Sequence, residues 1–296
     1  MARSLLQGFF SIAGARVGRM ALYIALTPVI VRVLGPAYGD YVFVISVLSM
    51  VMVLSNGGVF TATRKYISEH RDLEDWEDDV FAFYVHVSAA FVVLVAVAGA
   101  VGVATGTVDR FGDRFVVYTG LVVLLVAIKS LMNVTRSALM AFKLETVSEP
   151  LFAVQVLLIG VVGVSLAYLG WSVVGLLVGH FVATLLVMAG MLVYLVRYVS
   201  IGRVLRPVSV ALPARELLSF TLLTFVFFLL MESLYHVDIL TIRLLVDRQA
   251  TAHYKAALLS AEFLWIVPIG LQNLLVHSTS ELWAEEKYEN IQDIAT

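Results

Sequence analysis

Long apolar runs alternate along this chain with short polar stretches. A hydrocarbon core of about 30 Å needs roughly 20 helical residues to cross it. On that ruler the runs resolve into eight predicted spans, at about residues 9–34, 41–63, 80–105, 115–142, 150–169, 172–196, 216–246 and 251–280. Gly35-Pro36 ends the first, Gly170-Trp171 turns the fifth into the sixth, and the fifth carries no charged residue. The runs are rich in Val and Leu, so strands must be weighed. Membrane-barrel strands are near ten residues and alternate apolar with polar, whereas these runs are twice that length and apolar at both parities. A helix of this length satisfies every backbone group within its own segment, as lipid requires. The predicted class is all-α, a polytopic membrane helix bundle.

Composition agrees. The chain is 60% hydrophobic and 14% charged, with a mean hydropathy of +0.94; soluble domains sit near about 45–50% apolar and about 25% charged. Lipid can solvate the excess, and a soluble fold of 296 residues cannot hide it. The net charge of −2, without a basic tail or patch, gives no reason to expect nucleic acid. With no cysteine, disulfides, thiol catalysis and thiolate metal sites are excluded. The apolar run after Arg3 is long, carries Arg16, Arg19 and Arg32 and lacks a clear small-residue cleavage site, so it reads as a retained first span. Asn133-Val134-Thr135 fits the glycosylation acceptor pattern but lies inside a span.

Lys and Arg in short loops set orientation. One side holds Arg3, Arg64, Lys65, Arg71, Lys143, Arg197, Arg203, Arg206, Arg215 and Lys287; the other holds Arg110, Arg114 and Arg248. Ten against three places both termini in the cytoplasm of a multi-pass cell-membrane protein. The acidic stretch 72–79, with Trp76 in its middle, is expected as a solvated loop or short surface helix. The loop 197–215, with four arginines, Pro207 and Pro213, is the best internal boundary. It divides a six-helix lobe (1–200) and a basic cytoplasmic linker (201–216) from the first two helices of a second lobe with a cytoplasmic tail (217–296). A weak repeat supports the division: Val31-Arg32-Val33-Leu34 leads by a short loop to Tyr41, and Ile242-Arg243-Leu244-Leu245 leads by a short loop to Tyr254. Similar entry direction implies parallel repeats, although apolar helices resemble one another in any case.

Ionisable residues inside spans cost about 2.5–3.5 kcal/mol each at mid-helix on insertion scales and usually face the bundle interior or a watery cavity. Arg16 and Arg19 share a face of span 1, and Gly14 and Gly18 flank Arg16 at a spacing that permits close helix approach. Two guanidiniums on one face suit a phosphate; the alternative is a snorkelling pair near the headgroups. In span 4, Lys129 sits near mid-depth and Arg136 is near enough to the cytoplasmic end to snorkel. Span 7 carries Glu232, His236 and Arg243 in one stripe with Asp238 pointing elsewhere, and span 8 carries Lys255 and Glu262 on one face. Glu232, Asp238, Glu262 and Arg243 serve either ion coupling during transport or structural pairing. His236 by itself reads as a hydrogen-bonded interior residue rather than a metal ligand. There is no P-loop, HExxH, nucleophile elbow or EF-hand spacing, so neither an enzyme nor a metal or cofactor site is expected.

Several segments together resemble the oligosaccharide flippases of the polysaccharide-biosynthesis type, in the superfamily that also holds multidrug and toxin extruders. The first is the turn Val31-Arg32-Val33-Leu34-Gly35-Pro36-Ala37-Tyr38-Gly39-Asp40-Tyr41. The second is the exit of span 2, from Asn56-Gly57-Gly58 through Arg64-Lys65-Tyr66-Ile67-Ser68. The third is the last helix pair, with Val237-Asp238-Ile239-Leu240, Ala252-His253-Tyr254-Lys255-Ala256-Ala257, Pro268 and Ser278-Thr279-Ser280-Glu281. The resemblance covers essentially the whole chain; each motif is loose, and their order and spacing carry it. It implies a lipid-linked sugar carried across the membrane, its phosphate received by cations in a cavity between two six-helix lobes. By position Arg16 and Arg19 best match that role, with Lys255 next and Lys129 beside them. The low share of Lys among basic residues, the Val and Ala richness and the acidic loop point to a salt-adapted archaeon; the carrier would then be dolichol phosphate and the pathway glycosylation of surface-layer proteins. Family members usually carry twelve to fourteen spans, so an eight-span chain is expected to oligomerise, to be completed by a second membrane subunit, or to serve in a supporting role. Two other readings stand beside the flippase: a proton- or cation-coupled extruder of small molecules, and a non-transporting subunit that supports glycosylation enzymes.

Overall fold

The computed structural model describes residues 2–69, 75–206 and 212–262, which are almost entirely helical, with no strand among them. Their helices are α1 (Ala2–Leu34), α2 (Tyr38–Asn56), α3 (Val59–Ser68), α4 (Trp76–Ala104), α5 (Phe115–Ala141), α6 (Glu145–Leu158), α7 (Ser172–Leu195), α8 (Ala214–Leu245) and α9 (Arg248–Glu262). Six stretches are long and apolar enough to cross a membrane: Gly18–Leu54, Trp76–Ala104, Phe115–Ala141, Glu145–Val164, Ala167–Leu195 and Ala214–Leu245. The fold is the expected polytopic helical bundle.

The first stretch contains two crossings. The chain turns at Gly35, whose φ of +52° is a left-handed conformation that a side chain would strain. Arg136 of α5 marks one level of the bundle: its guanidinium lies 4.0 Å from the Phe152 ring centroid and 5.2 Å from that of Phe60. Arg19 of α1 lies 4.5 Å from the same Phe152 ring. The chain therefore leaves this level at Arg19, reverses at Gly35 and returns to it by Phe60. Seven crossings result among the described residues, and α9 follows them over the first part of predicted span 8. The rest of predicted span 8, with Pro268, Ser278 to Glu281 and Lys287, lies outside the described residues, as do the side chains of Arg16 and Glu262.

Loops gather at two ends, as the alternation of spans predicts. At one end Arg64 meets Glu145 at 3.5 Å, and Phe142 stacks on Tyr198 at 5.2 Å. There too Arg203 donates from Nε to Asp79 at 2.9 Å and from Nη1 to Asp75 at 3.0 Å, which holds its pKa above the ordinary arginine value. At the other end Asp40, Phe111 and Arg243 meet, and Gly39 lies against the backbone of Arg248.

Four local expectations need correction. Span 2 does not continue to residue 63: it breaks at Gly57-Gly58, and α3 starts a new helix. Its buried residues Val59, Ala62, Thr63, Tyr66 and Ile67 recur at helical spacing on one face. The stretch 72–79 is not wholly a solvated loop. Trp76 starts α4 and is buried at 1% exposure, its Nε1 donating to Tyr66 O at 2.7 Å; Asp79 is buried as well. Span 5 starts five residues earlier than predicted, so Glu145 and Glu149 lie in α6. Gly14 and Gly18 make no close approach among the described residues; that role falls to Gly163 and Gly179, where α7 crosses the wider-turned helical continuation Ile159–Val164 of α6.

Two apolar clusters hold the bundle. One centres on Tyr66, Trp76, Tyr84, Leu139 and Met191, the other on Tyr38, Val44, Leu125 and Leu177. α5 and α7 run through both, which positions the polar residues that these helices carry between the clusters.

Candidate functional site

The interior charges of the first seven crossings form two groups on different faces. The first lies where α1, α5 and α6 meet. Arg136 is held by Glu149, its Nε donating to Oε1 at 3.0 Å with Nη2 on the same oxygen. Both groups are largely buried, at 15% and 3% side-chain exposure. Phe152, one turn after Glu149, takes the guanidiniums of both Arg136 and Arg19 on its ring. A cavity of about 230 Å³ opens beside Arg136, lined also by Asn56, Phe60, Asn133 and Phe228. In it Asn56 Nδ2 donates to Ser130 Oγ at 2.9 Å.

Deeper in the same bundle, α1, α2, α5 and α7 bring four more polar groups together. Tyr41 and His180 Nε2 hydrogen-bond at 3.0 Å, while the buried His180 Nδ1 has no hydrogen-bond partner among the described residues. Lys129 is close enough for its charge to act on the His180 ring. Tyr23, one helical turn from Arg19, interacts electrostatically with Arg19 and with Tyr41. Lys129 is fourteen residues from Phe115, so it lies about 21 Å along the helix at 1.5 Å per residue. That is mid-membrane depth, and no carboxylate pairs with it among the described residues. The result is a polar track through one side of the bundle, with Arg19 and Arg136 near one end and Lys129 midway. Guanidinium and ammonium groups in a low-dielectric interior suit an anionic oxygen group.

The second group runs along the α2–α8 seam. His236 Nδ1 bonds Ser46 Oγ at 3.1 Å and its Nε2 lies 3.1 Å from Glu232. Arg243 donates to Asp40 at 2.9 Å, and the more exposed Arg248 lies 3.7 Å from the same carboxylate. Of the predicted stripe Glu232–His236–Arg243, the last two members thus reach α2, and Arg243 also reaches Phe111 and Phe115. Asp238 points to α9 instead, where it accepts from the Tyr254 phenol. Lys255 follows Tyr254 on α9, which packs on α2, α8 and the Gly35–Ala37 turn, whereas Arg19 packs on α6. The structure therefore joins Arg19, Arg136 and Lys129 into one track and seats Lys255 on another face.

Glu149 and His180 were not among the sequence candidates. Glu149 falls just outside the predicted span, which begins at Pro150. His180 is a single polar residue in an apolar run, and its partner Tyr41 is 139 positions away, so no local spacing signals the pair.

Residues 29–267 match a family model described as "Polysaccharide biosynthesis protein". No curated protein matches the chain. A solved structure described as the inward-facing conformation of a multidrug resistance MATE family transporter of the MOP superfamily superposes with a TM-score of 0.65 at 17% identity, covering 93% of this chain and 68% of that one. At that identity the likeness is one of fold.

Proposed function

Because the chain belongs to the polysaccharide biosynthesis protein family, we propose that it is a membrane flippase, or a component of one, for a lipid-linked saccharide, and not an enzyme. The phosphate or pyrophosphate of the carrier binds at Arg19, with Arg16 on the same helix, and on the track that continues from Arg19 to Lys129; Lys255, seated on another face, is left out of this site. The observation that carries this reading is the convergence of Arg19 and Arg136 on Phe152 near one end, with Lys129 farther along the same track. Anionic oxygen inside lipid needs such cations, and the isoprenoid tail can stay between helices while the headgroup moves. A drug extruder for cations would instead favour acids along this track, and the acid described here, Glu149, is engaged by Arg136.

In this reading residues 1–200 act as one six-helix lobe, 201–216 as a cytoplasmic linker and 217–296 as the start of a second lobe. The end that holds Arg64, Lys143 and Arg203 faces the cytoplasm, where the lipid-linked sugar is made. The carrier is a polyprenyl or dolichol phosphate, and the product feeds surface glycan assembly or protein N-glycosylation. The α8 pairs with α2 hold the two parts together.

The test is a deletion strain complemented with variants. Deletion is expected to trap lipid-linked sugar on the cytoplasmic leaflet and to shorten surface glycans. Arg16→Gln with Arg19→Gln is expected to restore glycans at least tenfold less well than the wild-type gene, on the scale of two lost charge-assisted phosphate contacts. Unchanged glycans with altered drug resistance in the deletion strain would overturn the flippase reading. Intact glycans in the double variant would remove those two arginines from the site.

A further inference from the structure

Away from the polar track, α2, α4 and α5 enclose a long groove of about 520 Å³. Val47 and Val51 of α2, Leu94 and Ala98 of α4 and Val122 of α5 line it, and the lining is nearly all apolar. Leu94 and Leu54 are 62% and 42% exposed, so the groove is open along its flank to the surface that meets lipid. Sugar hydroxyls or water would find few partners there, and burying polar groups unpaired is unfavourable. A hydrocarbon chain fits.

The end of the groove near Gly35 is built differently. Phe43, Phe111 and Phe115 close it, with ring centroids 5.3–6.0 Å apart. Arg243 sits 5.6 Å from each of the three centroids. Its buried Nε has no hydrogen-bond partner among the described residues. Beside this cage Arg243 and Arg248 share one carboxylate, Asp40. Tyr118, which also lines the groove, has the charges of Arg114, Arg248 and Asp40 around its phenol. Two guanidiniums on one carboxylate, with a third against the neighbouring Tyr118 phenol, gather cationic side chains at the mouth of an apolar slot. Arg248 is 56% exposed at its side chain and Arg114 is exposed, so both are open to a headgroup.

We propose that this groove docks one hydrocarbon chain of a membrane lipid whose phosphate rests on Arg248 and Arg114. The hydrocarbon leaves lipid for a slot of similar polarity, so chain burial adds little preference. Selection comes from the phosphate, through charge-assisted hydrogen bonds. The site lies at the opposite end of the bundle from Arg19 and does not rest on the flippase reading: a chain that transports nothing would still hold this lipid.

The test uses the purified full chain in phosphatidylcholine nanodiscs doped with phosphatidic acid that carries a photoreactive diazirine on one acyl chain. The matched diacylglycerol is the neutral probe. Phosphatidic acid is expected to label α2, α4 and α5 peptides of the groove roughly tenfold more than diacylglycerol, the scale of one or two charge-assisted contacts. Ala98→Trp fills the slot and should abolish that labelling, while Val97→Trp, exposed one position away and outside the lining, should leave it. Arg248→Gln with Arg114→Gln should reduce phosphatidic acid labelling to the diacylglycerol level; both residues are exposed, so folding is retained, which unchanged size-exclusion elution checks. Equal labelling by the two probes, labelling that survives Ala98→Trp, or selectivity that survives the double Arg variant would each overturn the proposal.

Discussion

At the α1–α5–α6 junction two guanidiniums, Arg19 and Arg136, lie on one ring, Phe152, and Arg136 is matched by its own carboxylate, Glu149. At the α2–α8 seam the proportions reverse. One guanidinium, Arg243, has three rings, and its carboxylate, Asp40, is shared with Arg248. Both arrangements neutralise charge inside lipid, where an unpaired ion is costly. They distribute it differently. The junction carries a matched pair with a second cation beside it. The seam carries a surplus of cation at its rim, on residues that reach the surface. A matched pair fixes helices against one another; a surplus at an exposed rim is what a ligand can meet.

The largest effect that would break this comparison is expected at Glu149. Glu149→Gln leaves the Arg136 guanidinium largely buried without its counter-charge, and losing one partner of a buried pair costs about 3–5 kcal/mol. Denaturant unfolding in detergent micelles measures it. Asp40→Asn should cost less, about 2 kcal/mol, because Arg243 keeps the Phe111 carbonyl at 3.4 Å and its three rings. If Asp40→Asn proves the more damaging, the seam is the tighter structural pair and the contrast drawn between the two sites is wrong.

Next in size is the backbone fit of the seam. A Cβ on Gly58 would lie 2.0 Å from the carbonyl oxygen of Thr221 on α8. Gly58→Ala must therefore move α8 away from the α2–α3 break, a strain of about 1–3 kcal/mol. The same unfolding measurement applies, and a change below about 0.5 kcal/mol, the level of a neutral surface substitution, would mean that α8 is only loosely seated on α2.

How far these features can be read from sequence depends on how local their cause is. Spans follow from run length, and the ends at Gly35-Pro36 and Gly170-Trp171 from glycine, which adopts φ of +52° and +96° there. The stripe Glu232–His236–Arg243 followed from helical periodicity, and α2 receives the last two of its members. The break at Gly57-Gly58 has no local signal, because the backbone that packs against Gly58 is that of Thr221, more than 160 positions away. Glu149 is hidden for a local reason: a proline is a common first helical residue, but Pro150 here lies inside α6. The apolar groove has no sequence signature at all: its lining comes from three helices and the Val108–Phe111 turn, and no local spacing singles out the apolar positions that meet there.

The smallest stability effect, and the sharpest probe of the contrast, belongs to Arg248. Its Nη1 is 3.7 Å from Asp40 and its side chain is 56% exposed, against 12% for Arg243. An ion pair at that distance and exposure contributes about 0–1 kcal/mol, so Arg248→Gln should shift the unfolding midpoint only slightly. Arg243→Gln, in contrast, strips a buried carboxylate of its close partner and empties the cage of Phe43, Phe111 and Phe115, a loss of about 3 kcal/mol or more. The two substitutions remove the same charge from the same carboxylate, so their difference isolates burial from charge. A near-zero effect for Arg248 beside a large one for Arg243 means that Asp40 is satisfied by Arg243 within the bundle and that Arg248 is held at the rim without a structural need. Comparable losses from both would mean that Arg248 is part of the seam itself, leaving no surplus cation for a ligand.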